Sequence, residues 1–244
     1  MLGRQTSYAM RGQSLQRLTA RLLKALFLEA PCLTSTPEKA AAFDALLSTA
    51  VQGGVSTPID YTAPYPKHEF LTHLARRHAV LLYGSTRPDI QQLQPRPQMD
   101  HAGHTRAIAF ASGDGIWPIF FAILDPRKLR GSPRHGCFVV SESPHTEQRF
   151  YFFSISAESL AAAPWTEGSV YLLLRSSFAP IDQGAIRLDA WESQRPVYPL
   201  ARLPIVPEDF PFLYRVAGHR ESESMLISWL SYKWRIRSHN RSTR

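Results

Sequence analysis

Proline breaks this chain into short pieces. Nineteen prolines against 13 glycines leave few windows for a long helix, because an interior proline removes a hydrogen bond and clashes with the preceding turn. The apolar runs between them are short. Residues 107–111, 136–140, 150–155, 169–174 and 196–206 are rich in β-branched and aromatic side chains, the composition of buried strands. Helical periodicity lies mostly at the ends. In residues 13–30, Leu15, Leu18, Leu22 and Leu26 recur at three- and four-residue spacing. Residues 37–51 form a second helix, with Thr36 placed to cap it and Pro37 at its first position. Shorter helices are expected over 68–78 and 115–124, and another over 221–234, where Met225, Leu226, Trp229, Leu230 and Lys233 share a spacing.

The pattern predicts an α+β protein. Gly53–Gly54 followed by Pro58, Pro64 and Pro66 reads as a linker. Three regions follow: a helical amino-terminal region over 1–60, an α+β domain over 61–215, and a carboxy-terminal helix with a basic tail over 216–244.

Charge divides the chain in the same way. The net charge is +8, from 28 Lys+Arg against 20 Asp+Glu. Residues 1–28 hold Arg4, Arg11, Arg17, Arg21 and Lys24 and no acid; residues 230–244 hold Lys233, Arg235, Arg237, Arg241 and Arg244, again with no acid. The middle is left slightly acidic, so the basic balance describes two ends rather than a nucleic-acid-binding body. The first 28 residues have the composition of a transit peptide, and equally that of an amphipathic helix packed on the body.

Several classes are excluded. No run of about 18 apolar residues spans a membrane. Two cysteines, Cys32 and Cys137, build no disulfide framework, so a reducing, cytoplasmic setting is expected. There is no P-loop, GxGxxG, GxSxG or HExxH. His68, His73 and His78 recur every five residues, a spacing that spreads them around a helix. His101 and His104 lie with Asp100 in a polar stretch and read as solvated; no metal is expected.

Three segments read differently together. Leu81-Leu82-Tyr83-Gly84-Ser85-Thr86-Arg87 is an apolar strand ending in an aromatic residue, a glycine and two hydroxyls. A glycine there permits close backbone approach to a ligand. The stretch from Ala107 to Ala122 is a strand, a Ser112-Gly113-Asp114-Gly115 turn and an aromatic-rich helix opening. Trp191-Glu192-Ser193 places an acid between an aromatic and a hydroxyl. Taken singly, each has a structural reading: Tyr83 and Phe110, Phe120 and Phe121 as core, Gly84 as a turn glycine, Asp114 as an N-cap, Arg87 and Arg96 as solvated surface.

In this order and spacing, over residues 79–213, the segments resemble the ADP-ribosyltransferase-like fold. They look most like a bacterial branch with an "HGS…AVFAS-D-x-x-W-x-x-FFA…EW-S" pattern. The resemblance implies a split, strongly bent mixed β-sheet with an NAD cleft between its halves. It implies an enzyme that cleaves the nicotinamide–ribose bond of NAD, its substrate, and passes ADP-ribose to a protein or nucleic-acid acceptor. A toxin or defence role with an acidic antitoxin or immunity partner is one form of that reading. By resemblance Glu192 holds the ribose and orients the acceptor, and Gly84 and Ser85 meet the nicotinamide amide and a ribose hydroxyl. Arg87 meets the pyrophosphate, and Phe110, Phe120 or Phe121 stacks on the nicotinamide. Tyr83 stands where relatives carry His, keeping a hydroxyl donor and an aromatic face but leaving a degenerate cleft as the alternative. Two other functions remain open: a non-catalytic nucleic-acid-binding protein with basic terminal arms, for which Lys233-Trp234-Arg235-Ile236-Arg237 interleaves aromatic and basic residues, and a phosphotransferase relative, against which Tyr83 argues.

Overall fold

The computed structural model describes residues 15–99, 105–143, 146–182 and 184–242. It is α+β, with six helices and three small, mostly antiparallel sheets. Arg4, Arg11, Asp100, His101, His104 and Arg244 lie outside the described residues.

Helix α1 spans residues 15–26. It is shorter than its leucine spacing predicts, because Leu28–Glu29 leave it to form strand β1, paired with Tyr151 and Phe150. Helix α2, Pro37–Gln52, starts where expected: Thr36 is extended and its side chain accepts from the Lys39 amide at 3.3 Å. Helix α3 is Lys67–Arg77 and α4 is the short Trp117–Ala122, trimmed relative to the expected 115–124. The five-residue α5 is Ala157–Ala161. The last helix, α6, runs Met225–Ser242, beginning later than expected and continuing through the basic tail. Its first turn is set by Ser224, whose hydroxyl accepts from the Ile227 amide.

The first sheet contains β1, β7 (Thr146–Ser156), β6 (Arg134–Ser143) and β10 (Ile186–Leu188) in that order, with β13 (Ala217–His219) beside β7. The second has the order β4 (Arg96–Met99), β5 (Thr105–Ala111), β11 (Trp191–Ser193), β9 (Ala179–Pro180). The third runs β2 (Thr57–Pro58), β12 (Ala201–Ile205), β8 (Gly168–Leu174), β3 (Val80–Ser85). Only part of the apolar stretch 196–206 is therefore strand. Leu82 and Ser112 exchange both backbone bonds, at 2.8 and 2.9 Å, and so join the second and third sheets.

A large apolar cluster runs from Ala20 to Ile236 and takes in side chains of all three named regions, among them Phe43, Phe70, Phe120, Phe153 and Tyr232. A smaller one, around Leu81, Ala109, Ala111, Tyr171 and Leu173, covers the opposite face of β3 and β8. Strand alternation explains the division: Leu81 and Tyr83 point to the small cluster, Val80 and Leu82 to the large one. Among the described residues no helix is long and apolar enough to cross a membrane.

Candidate functional site: a cleft where three sheets meet

A cleft of about 520 Å³ opens where β3, β5, β6 and α4 converge. Tyr83 and Gly84 reach it from β3, Phe110 from β5, Trp117 and Phe121 from α4, and His135 from β6. Its walls are mainly apolar and aromatic, with Gln94, Arg96 and Gln98 on one side. This is the composition of a site for a flat, largely apolar group with a few polar anchors.

The helix that forms one wall is held by a buried polar cluster. Asp114 Oδ1 accepts from the amides of Ile116 and Trp117, at 2.9 and 2.7 Å, which satisfies free donors at the start of α4. Its Oδ2 accepts from the Tyr151 hydroxyl at 2.7 Å and faces Arg149 Nη1 at 3.4 Å. Arg149 also pairs with Asp189 and with Glu147. Burial opposes the Arg149 charge, but the Asp189 and Asp114 carboxylates outweigh it and the guanidinium is held protonated. Asp114, Cys137 and Asp189 lie close enough to share a cation; Arg149 bonds or faces each of them and supplies that charge itself.

His135 is the cleft residue with the most defined chemistry. Tryptophan can only donate, so the 3.2 Å bond from Trp117 Nε1 to His135 Nδ1 fixes the neutral ring with its proton on Nε2. Protein packed around the ring, including the edge of Phe121 at 4.6 Å, desolvates it and lowers its pKa to about 4, while the residue still opens onto the cleft. Sequence reasoning missed it: His135 belongs to no motif, and its signal is a tryptophan 18 positions away.

Of the residues singled out from the sequence, Tyr83, Gly84, Phe110 and Phe121 line this cleft together. The Tyr83 hydroxyl has no hydrogen-bond partner among the described residues. Glu192 is the direct cross-strand partner of Phe110, so the two share one face of the sheet with Cβ atoms about 5 Å apart. It is not among the cleft-lining side chains; its carboxylate lies 3.6 Å from Arg106. Three others stand apart. Phe120 is fully buried, 4.8 Å from the Phe153 ring. The Ser85 hydroxyl accepts from the Arg87 amide. Arg87 is exposed, and its carbonyl accepts from the Tyr171 hydroxyl.

A second cavity, of about 480 Å³, shares Leu188 and Ala190 with the cleft. Arg76, Arg77, Arg149, Arg175 and Arg187 line it, against Glu147, Asp182 and Asp189. Arg175 lies 5.1 Å over the Trp191 ring. The basic tail is less free than its sequence suggests. Arg235 grips both oxygens of Glu223, at 2.7 and 2.8 Å, as well as the Gly218 carbonyl, and Ile236 is buried.

No protein-family model matches the chain, and neither a curated protein nor a solved structure matches it.

Proposed function

We propose that this protein binds NAD in the three-sheet cleft and transfers ADP-ribose from it to a macromolecular acceptor. The observation that carries the reading is convergence: Tyr83, Gly84, Phe110 and Phe121, drawn from two separate segments, line one cleft, and Glu192 from a third stands beside Phe110. The finer fold reading, a split and bent ADP-ribosyltransferase sheet, is part of this proposal. The second and third sheets meeting at Leu82 and Ser112, beside the cleft, are consistent with it.

The chemistry asks little of the protein. The ribose C1′–nitrogen bond breaks, its electron pair leaves with nicotinamide and neutralises the pyridinium, and the sugar passes through an oxocarbenium ion. The aromatic walls suit the nicotinamide ring, and the His135 Nε2–H and the Tyr83 hydroxyl are donors for its carboxamide. Glu192 supplies negative charge near the developing cation and takes the proton of the acceptor's nucleophile as that group bonds C1′. The arginine-lined cavity beyond Leu188 and Ala190 suits the phosphates of the dinucleotide or of a nucleic-acid acceptor. An acidic antitoxin could meet the basic end helices by long-range attraction. The free cysteines, Cys32 exposed and Cys137 buried, fit a reducing compartment such as the cytoplasm.

Incubation with NAD labelled in its nicotinamide tests this. Release is expected from the wild type and is expected to fall at least ~100-fold in Glu192→Gln, the scale of losing one transition-state electrostatic contact. No release, or equal release from the variant, removes the mechanism.

A further inference from the structure

Away from the cleft, helices α2 and α3 bring together a different set of donors. Asp44 Oδ1 lies 2.6 Å from His73 Nε2 and 2.8 Å from His78 Nε2, and the three ligand atoms all fall within 4.8 Å of one another. The five-residue spacing of the histidines would separate them on a continuous helix. Instead α3 stops at Arg77, and His78 adopts extended geometry, φ −112° and ψ 152°, which turns its ring back toward His73. Their ring centroids are 5.7 Å apart.

We propose that Asp44, His73 and His78 form a binding site for a borderline divalent cation, zinc being the probe of choice, that clamps α2 onto α3. Two imidazoles and a carboxylate are a donor set such ions prefer. Bonds of about 2.0–2.2 Å in a tetrahedron place ligand atoms roughly 3.3 Å apart, so the two oxygen–nitrogen distances must lengthen by about half an ångström, while the nitrogens already lie within 4.8 Å of each other. To coordinate, each ring must move its proton from Nε2 to Nδ1: the two hydrogen bonds to Asp44 Oδ1 give way to metal–ligand bonds, and neither Nδ1 has a hydrogen-bond partner among the described residues that the arriving proton would displace. Phe43 packs against the His73 ring at 5.4 Å and fixes its orientation. The fourth position faces solvent, since the Asp44 side chain is 51% exposed while that of His73 is only 10% exposed. Arg76 and Arg77 follow His73 in the same turn, and their charge sets a limit on affinity.

The test uses the full chain after chelator treatment, titrated with Zn²⁺ by calorimetry and with Co²⁺ by visible absorption. One equivalent is expected, with tetrahedral cobalt bands. At a hundredfold excess of zinc over its dissociation constant the unfolding midpoint is expected to rise by roughly 5–10 °C. Asp44→Asn keeps an oxygen acceptor for both rings, and His78→Gln leaves the interior of α3 intact. Each is expected to weaken binding at least tenfold while the circular dichroism of the metal-free protein stays as in the wild type. Absence of one-to-one binding, or binding equally tight in both variants, overturns the assignment.

Discussion

Gly84 lies directly beneath Pro118. A Cβ built on Gly84 would stand 1.7 Å from the Pro118 carbonyl oxygen and 3.0 Å from the Ala122 amide. The residue admits a close backbone approach, and the backbone that approaches is α4. Gly84→Ala must therefore push the helix off β3, and backbone cannot yield as a side-chain tip can. Overpacking of this kind costs ~1–3 kcal/mol or more. Denaturant unfolding is expected to show a loss at the upper end of that range, accompanied by loss of ligand binding in the cleft. A variant as stable as the wild type would overturn this close packing of α4 on β3.

Asp114 is expected to be the most sensitive buried acid. Replacing it with Ala removes the cap of α4, worth about 1 kcal/mol, and withdraws one of the carboxylates facing Arg149 and the acceptor of the Tyr151 hydroxyl. Breaking a buried pair from one side costs roughly 3–5 kcal/mol; Asp189 and Glu147 still hold the arginine, so about 3 kcal/mol is expected in urea unfolding. Asp114→Asn, which keeps the capping oxygen, should recover about 1 kcal/mol of that loss.

What could be read from the sequence was local. Thr36 is the N-cap of α2, whereas Asp114 stands two positions before the N-cap of α4, Ile116, and bonds the helix start from the turn; both act through bonds to residues three positions away or fewer, which follow from side-chain chemistry alone. Strands β6, β7 and β8 were legible because each carries a continuous apolar run, rich in aromatic residues in β7 and in Val, Tyr and Leu in β8. Strands β9, β10, β11 and β13 have two or three residues each; pairing with neighbours, not propensity, makes them strands. The partners of Gly84 and His73 were not legible either, since Pro118 is 34 positions away and Asp44 is 29 positions away. A glycine announces that something comes close, but not what. Of the candidate site, Phe110 and Phe121 were found with Tyr83 and Gly84, whereas Phe120 turned inward, because adjacent positions on a helix point about 100° apart.

Acid should destabilise the fold in two steps. Desolvation by the protein packed around its ring lowers the pKa of His135 to about 4, and burial with Arg134 nearby lowers that of His219 to about 4; unfolded histidine titrates near 6.5. Between those values the unfolded chain binds protons that the folded chain refuses, so stability is full above pH 6.5 and falls toward pH 4. Glu223 is held at about 2, chiefly by its bonds to Arg235, so its contribution is present above about pH 4.5 and lost as the pH falls toward 2. Solvent screening limits it to about 1–2 kcal/mol. Urea unfolding across a pH series is expected to show both slopes, with His219→Gln flattening the first and Glu223→Gln the second. Ligand binding in the cleft should stay level between about pH 5 and 8, because His135 remains neutral throughout.

The carboxy-terminal helix separates an anchor from a free face. Tyr232 is fully buried, packs edge-on against Phe152 at 4.9 Å and donates to the Arg215 carbonyl at 2.9 Å. Trp234, two positions on, is 70% exposed and continues a solvent-facing row with Leu226 and Leu230 at four-residue spacing. Tyr232→Ala is expected to cost about 3–5 kcal/mol, the range for emptying a large aromatic site, whereas Trp234→Ala should stay within about 0.5 kcal/mol of the wild type. Thermal unfolding of the two variants measures the difference. The same geometry sorts the basic residues: Arg235 is spent on Glu223, so among the described side chains of this tail Lys233, Trp234 and Arg237, rather than Arg235, are placed to contact nucleic acid. In a mobility shift, Lys233→Glu with Arg237→Glu should weaken binding and lower its salt dependence without altering the unfolding midpoint. Arg235→Ala should instead lower the midpoint and leave the salt dependence of any shift unchanged.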